Sequence, residues 1–287
     1  MDTNQRPRAA GAALTLSMLA GVGLLAGCTS GGSSTTPPPA SAPARPTGTA
    51  APTAVASSPG ALSPSASPGG LSPSAFLHAA QAAVRSGGSV HVDITDSSAS
   101  GSIHFSDDDT ASGGRQVVTL SNGGRVTILL IDGIDYVQAN AVALEGFFQV
   151  PQAQAEQTAD QWIKLSVGEK IGASTYDDVT AGITLSSVAD ELALAGTLKP
   201  AKPSTVYGQP VTGVEAPMPA SAKLPASARN VLYATDNSLH RPVVLEVLDA
   251  GSYKYLMSFS QWGETVHLTA PANSIPASDT ASGPSLT

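Results

Sequence analysis

The sequence predicts an α+β domain: one large curved antiparallel sheet with helices covering its apolar face. Three observations predict it. Short runs with strict two-residue alternation recur from residue 89 to 271, separated by Gly, Asn and Asp turn signals. Only three stretches carry a helical period. Runs and helices do not alternate as they would around a parallel sheet.

Taken in order, the N-terminus comes first. Arg6 and Arg8 precede an uncharged stretch from Ala9 to Gly27, the pattern of a secretory signal over residues 1–27. Gly and Ala dilute that run, and its length lies near the lower limit for spanning a bilayer. Leu25-Ala26-Gly27-Cys28 ends it, and Cys28 is the sole cysteine. That excludes an internal disulfide and a Cys-based zinc cluster. Residues 28–72 are built from Ser, Thr, Pro, Ala and Gly, as in "TTPPPASAPARP". Such a segment buries too little apolar surface to offset chain entropy and reads as a disordered tether. As a coil, roughly 40 residues span on the order of 35 Å.

The folded domain is expected over residues 73–272. Ser72 is an N-cap and Pro73 a first helical residue. Phe76, Leu77, Ala80 and Val84 share one helix face, Gly87-Gly88 ends the helix, and His78 points to solvent. "SVHVDIT" and "GSIHFS" alternate as strands. "SDDDTASGG" reads as a charged turn into "RQVVTL", and "RVTILLI" is joined to "IDYVQA" by the hairpin signal Asp132-Gly133. "QWIKL" is a further strand. "NAVALEGFF" begins a helix at Asn140. "TLSSVADELALAG" runs from a Thr184 cap to Gly196 with Leu185, Val188 and Leu192 on one face. "STVYGQPV", "NVLYAT", "PVVLEVL", "YKYLMSFSQWG" and "TVHLTAP" return to strands, and residues 273–287 read as a loose tail.

The formal net charge is -8, with no basic stripe, which argues against nucleic acid. The five histidines lack zinc spacing, and His91, His104 and His267 fall at outward strand positions. Asp107 to Asp109 lacks the Gly and distal Glu of a calcium loop. No nucleophile elbow or phosphate loop is present, so no enzyme, metal or cofactor is expected.

Several landmarks stand in a telling order. They are "FLHAAQAAVRSGGSVHVDI", "LLIDGIDYVQ", "QWIKL" and the ending "YLMSFSQWGETVHLTAP". With the lipobox at residues 25–28, the chain resembles the actinobacterial lipoprotein family of LppX and LprG. The resemblance implies a half-open barrel similar to the LolA/LolB carriers, with helices in its concave face. It implies thioether-linked diacylglycerol on Cys28 and an extracytoplasmic, membrane-anchored location. It also implies an acylated lipid or glycolipid as ligand, with an envelope transporter as a further partner. An acyl chain needs an apolar, water-free slot. Candidate walls are Val126, Ile128 and Leu130 on one strand face, and Phe147, Phe148, Leu185, Val188 and Leu192 on covering helices. Periodicity alone leaves two readings open: a ligand cavity, or a filled core in an anchored domain that works through its surface.

Overall fold

The computed structural model describes residues 70–219, 222 and 224–280. Cys28, the signal segment and the tether lie outside the described residues. Helix α1 (Pro73–Arg85) begins as expected. The Ser72 hydroxyl accepts a hydrogen bond from the Ala75 amide at 3.3 Å, and Phe76, Leu77, Ala80 and Val84 are its buried residues.

A meander follows: β1 (Ser89–Ser98), β2 (Gly101–Thr110), β3 (Gly114–Leu120), β4 (Arg125–Ile131) and β5 (Ile134–Ala139). The helices α2 (Ala141–Gly146) and α3 (Gln152–Thr158) lead to β6 (Trp162–Leu165). A two-stranded hairpin, β7 (Lys170–Ile171) and β8 (Ser174–Thr175), precedes α4 (Tyr176–Thr180) and α5 (Leu185–Glu191). The chain then adds β9 (Lys199–Pro200), β10 (Ser204–Val206), β11 (Gln209–Pro217), β12 (Arg229–Thr235), β13 (Pro242–Leu248), β14 (Lys254–Ser260) and β15 (Ser274–Pro276).

Among the described residues, thirteen strands make one curved, unclosed sheet, ordered β10-β11-β12-β13-β14-β1-β2-β3-β4-β5-β6-β15, with β9 also on β11. The late strands enter beside the early ones because β14 pairs antiparallel with β1, His91 opposite Ser260. A register shift at Tyr233/Ala234 accompanies the curvature of the β12–β13 ladder. The helices lie on the concave face. Helix α1 packs on α5 and reaches β11 and β13, α2 touches β4 and β5, and α4 touches β5.

Five expectations are corrected. "SDDDT" is not a turn: it completes β2, so Asp107 and Asp109 continue the inward parity of Phe105 and are buried. The turn is only Ala111-Ser112-Gly113, closed by the Thr110 amide on the Gly113 carbonyl at 2.8 Å. "TVHLTAP" is not a strand. Residues 264–271 carry no regular secondary structure, because the strand beside β14 is already β1. Residues 273–280 are not a loose tail. β15 pairs with β6, and a 3₁₀ turn at Ala277–Thr280 buries Ala277 and Thr280, so the domain runs past residue 272. That β15–β6 ladder is parallel, whereas the other ladders among the described residues are antiparallel as expected. Finally, α5 stops at Glu191 with Leu192 as its C-cap, not at Gly196.

Candidate functional site

The concave face is built in rows across the meander. Cross-strand register aligns Val92, Asp107, Gln116, Ile128 and Val137, and one step along it aligns Val90, Asp109, Gly114, Leu130 and Asp135. Alternation puts Val126, Ile128 and Leu130 inward together, at 1%, 2% and 4% exposure. Phe148, Leu185, Val188 and Leu192 are equally buried, and Phe147 is half-buried with its ring edge-on to Phe148 at 5.1 Å. All eight belong to or pack against one continuous hydrophobic core. The helical cover meets that core through small side chains, with Ala80, Ala143, Ala155 and Ala189 buried on four helices.

Within this apolar interior sits a polar group that the sequence reading missed. Asp107 and Asp109 come from β2, Gln116 from β3 and Glu191 from the end of α5. Two glycines show how closely they meet. A Cβ on Gly182 would lie 3.1 Å from Glu191 Oε1 and 3.8 Å from Gln116 Nε2. A Cβ on Gly114 would lie 2.8 Å from both Asp109 Oδ1 and the Ile183 carbonyl. Gln116 Nε2 donates to Asp107 Oδ2 at 3.4 Å. Asp107 Oδ1, both Asp109 oxygens and Glu191 Oε2 are shielded from solvent and have no partner among the described residues.

Burial pushes Asp107 and Asp109 well above the usual carboxylate range, and neighbouring acids add to it: Asp109 on Asp107, Glu191 on Asp109. Burial raises Glu191 to about 7. Asp135 is raised by burial to about 6, although Thr180 donates to its Oδ2 at 2.7 Å and pulls the other way. The missed signal was parity. Once Ile103 and Phe105 face inward, Asp107 and Asp109 must too, unless the strand ends between them.

The convex face carries a different chemistry. His91 Nδ1 is 2.6 Å from Asp108 Oδ1 and its Nε2 is 3.2 Å from Asp93 Oδ2. Arg115 Nη1 lies 3.8 Å from Asp108 Oδ2. His91 was expected as solvated surface; it is half-buried in this ladder, while His104 and His267 are exposed. The irregular segment after β14 crosses here. The Gly263 amide donates to the Ser89 carbonyl at 3.0 Å, and Ser89 Oγ donates to the Glu264 carbonyl at 2.6 Å. Between segment and sheet lies a polar cavity of about 230 Å³ lined by His91, Asp108, Arg115, Glu264 and His267 among others. Trp262 anchors the crossing, stacked on Phe259 at 6.3 Å with the Arg241 guanidinium 5.5 Å over its ring.

Among the described residues no three His, Cys, Asp or Glu side chains are placed to hold a metal ion, and no helix is long and apolar enough to cross a membrane.

No family model matches the chain, and no curated protein does. Solved structures are similar to it. The lipoprotein LppX of Mycobacterium tuberculosis is 18% identical with a TM-score of 0.44, covering 69% of this chain and 100% of LppX. LprF from Mycobacterium bovis is 14% identical with a TM-score of 0.43, covering 69% and 96%. A putative outer membrane lipoprotein-sorting protein domain from Vibrio parahaemolyticus is 13% identical with a TM-score of 0.26, covering 64% and 90%. The LppX-type resemblance read from the order of sequence landmarks thus recurs among solved structures. Identities this low say nothing of ligand, partner or anchor.

Proposed function

We propose that this protein is a non-enzymatic lipid-binding domain of the cell envelope, tethered to the membrane through acylated Cys28. Its ligand would be an acylated lipid or glycolipid, received between sheet and helices and passed on to an acceptor such as an envelope transporter. One observation carries the reading. An unclosed sheet presents a largely apolar concave face, and its cover is four helices of five to seven residues plus α1, four of the five burying an alanine among the larger apolar side chains of the core. Short helices have little interface of their own to hold them down. Parting them from Val126, Ile128 and Leu130 would open a slot walled by Phe147, Phe148, Leu185, Val188 and Leu192. Each methylene of an acyl chain sheltered there would contribute about 0.8 kcal/mol.

A second reading has its own observation. The candidate wall residues pack together in a continuous core, and the described cavity is polar and lies on the convex face. On that reading the domain binds through its surface and its interior stays filled.

Native mass spectrometry of the full-length chain, purified from an actinobacterial host and extracted with organic solvent, separates the two. A stoichiometric adduct with heterogeneous chain lengths is expected, and Val188→Phe should reduce its occupancy by narrowing the slot. A clean apo mass, with thermal stability unmoved by added phospholipid or glycolipid, would reject the carrier reading in favour of the surface one.

A further inference from the structure

We propose that Asp107, Asp109 and Glu191 form a proton-dependent latch, holding α5 on the sheet while they are protonated and releasing it when they ionise. The inference does not rest on the identity or existence of a ligand. It concerns when the interior opens.

The geometry supplies both halves of the latch. Asp107 and Asp109 are fixed on β2, in the middle of the sheet, at 1% and 0% exposure. Glu191 belongs to the cover: it is the last residue of α5, and its Oε1 turns back toward Gly182 and Gln116. The loop before α5 touches the same spot, since the Ile183 carbonyl and Asp109 Oδ1 crowd the same side of Gly114. Thr184, the α5 N-cap, bridges to Thr110 at the end of β2. Moving α5 away from β2 therefore parts Glu191 from the two aspartates, together with the Thr184–Thr110 bridge.

The charges around the cluster offer no relief. On α5, Asp190 points outward and pairs with Arg85 of α1 at 2.5 Å, so that cation is committed to the outer surface. On β3, Arg115 lies on the convex face with Asp108. β3 contributes only the neutral Gln116 to the inside, and β14 contributes Tyr255, whose phenol burial keeps neutral. Toward the far end of β1, Asp96 adds a further acid beside Tyr253. Asp135 lies across Gly114 and Leu130 and is held by Thr180. Every titratable group that faces the cluster is thus acidic or neutral. Protonated carboxyls can share hydrogen bonds with one another and with Gln116. Ionised ones repel where little water reaches them and gain most by hydration, and lifting α5 would carry the half-buried Glu191 outward. The directions of the shifts agree: burial raises all three groups, and neighbouring acids add to it for Asp107 and Asp109.

The test is hydrogen exchange of the full-length chain from pH 5 to 8.5, expressed as protection factors so that base catalysis of exchange itself is removed. Amides of residues 182–192 should lose at least tenfold protection across a step between pH 6 and 8, while the β12–β13 ladder stays protected. Glu191→Gln should abolish the step and leave the segment protected at pH 8. Carboxyl carbon-13 shifts of the wild-type chain provide a readout that needs no variant: Glu191 should titrate near neutrality. Flat protection over the whole range, a step that survives Glu191→Gln, or a Glu191 carboxyl titrating near its ordinary value would each overturn the latch. A lipid adduct alongside flat protection would leave the carrier reading standing while the latch fails.

Discussion

Glu191 and Asp135, together with the raised Asp107 and Asp109, set the pH response of stability at the level of single residues. Folding raises the first from 4.5 to about 7 and the second from 3.8 to about 6. The native state therefore holds protons that the unfolded chain would release. Stability is full below about pH 4 and falls as pH rises through 6 and then 7. The unfolding free energy from urea titration should be lower at pH 8 than at pH 5, with a Glu191 contribution on the order of 3 kcal/mol, and the urea midpoint should fall with it. Glu191→Gln should flatten the upper part of that slope; a midpoint that rises with pH would contradict the assignment. Gly113 tests the tightness of the β2–β3 turn. A Cβ there would meet the Leu130 carbonyl oxygen at 2.1 Å, so Gly113→Ala should cost about 2 kcal/mol or more in denaturant unfolding.

At the scale of elements, α5 and β15 matter most. Helix α5 is capped at both sides of its first turn, with Thr184 and Ser187 exchanging hydrogen bonds, yet it is only seven residues long. Its hold on the sheet comes from Leu185, Val188 and the C-cap Leu192, which is fully buried. Leu192→Ala should cost about 2–5 kcal/mol, seen as a lower thermal midpoint. β15 covers the edge of β6 after the chain has crossed the convex face. Truncation after Pro271 removes that cover and the buried Ala277 and Thr280, leaving the β6 edge unpaired. The truncated chain should show lower stability and concentration-dependent association in sedimentation; an unchanged monomer would mean that β15 does not guard the edge.

For the whole molecule, the described residues form an open sheet covered by helices on one face, and the proposed anchor at Cys28 lies outside them. Cys28→Ser should move the protein from the membrane to the soluble fraction, checked by fractionation. Retention of the variant on membranes would point to a transmembrane signal segment instead. The two faces of the sheet divide the chemistry, with acids and apolar walls inside and a His91–Asp108–Arg115 ladder outside.

Local rules were enough for much of this. The sequence alone determined α1 with its Ser72 cap and four buried residues, the turn at Asp132-Gly133, and the inward set Val126, Ile128 and Leu130. Each follows from capping, turn chemistry or alternation over a few residues. Only the tertiary structure decided the rest. A run of three aspartates reads as a solvated turn until pairing with β1 and β3 prolongs β2 and carries Asp107 and Asp109 inward. "TVHLTAP" alternates like a strand but finds β14 already paired on both sides. Polar Ser274 to Thr280 becomes ordered because β6 offers an open edge. The meeting of Glu191 with Asp107 and Asp109, more than 80 positions away in the chain, depends on how the cover lands on the sheet. Short-range preferences fix what a segment can form, whereas long-range pairing and burial fix which of its side chains leave water.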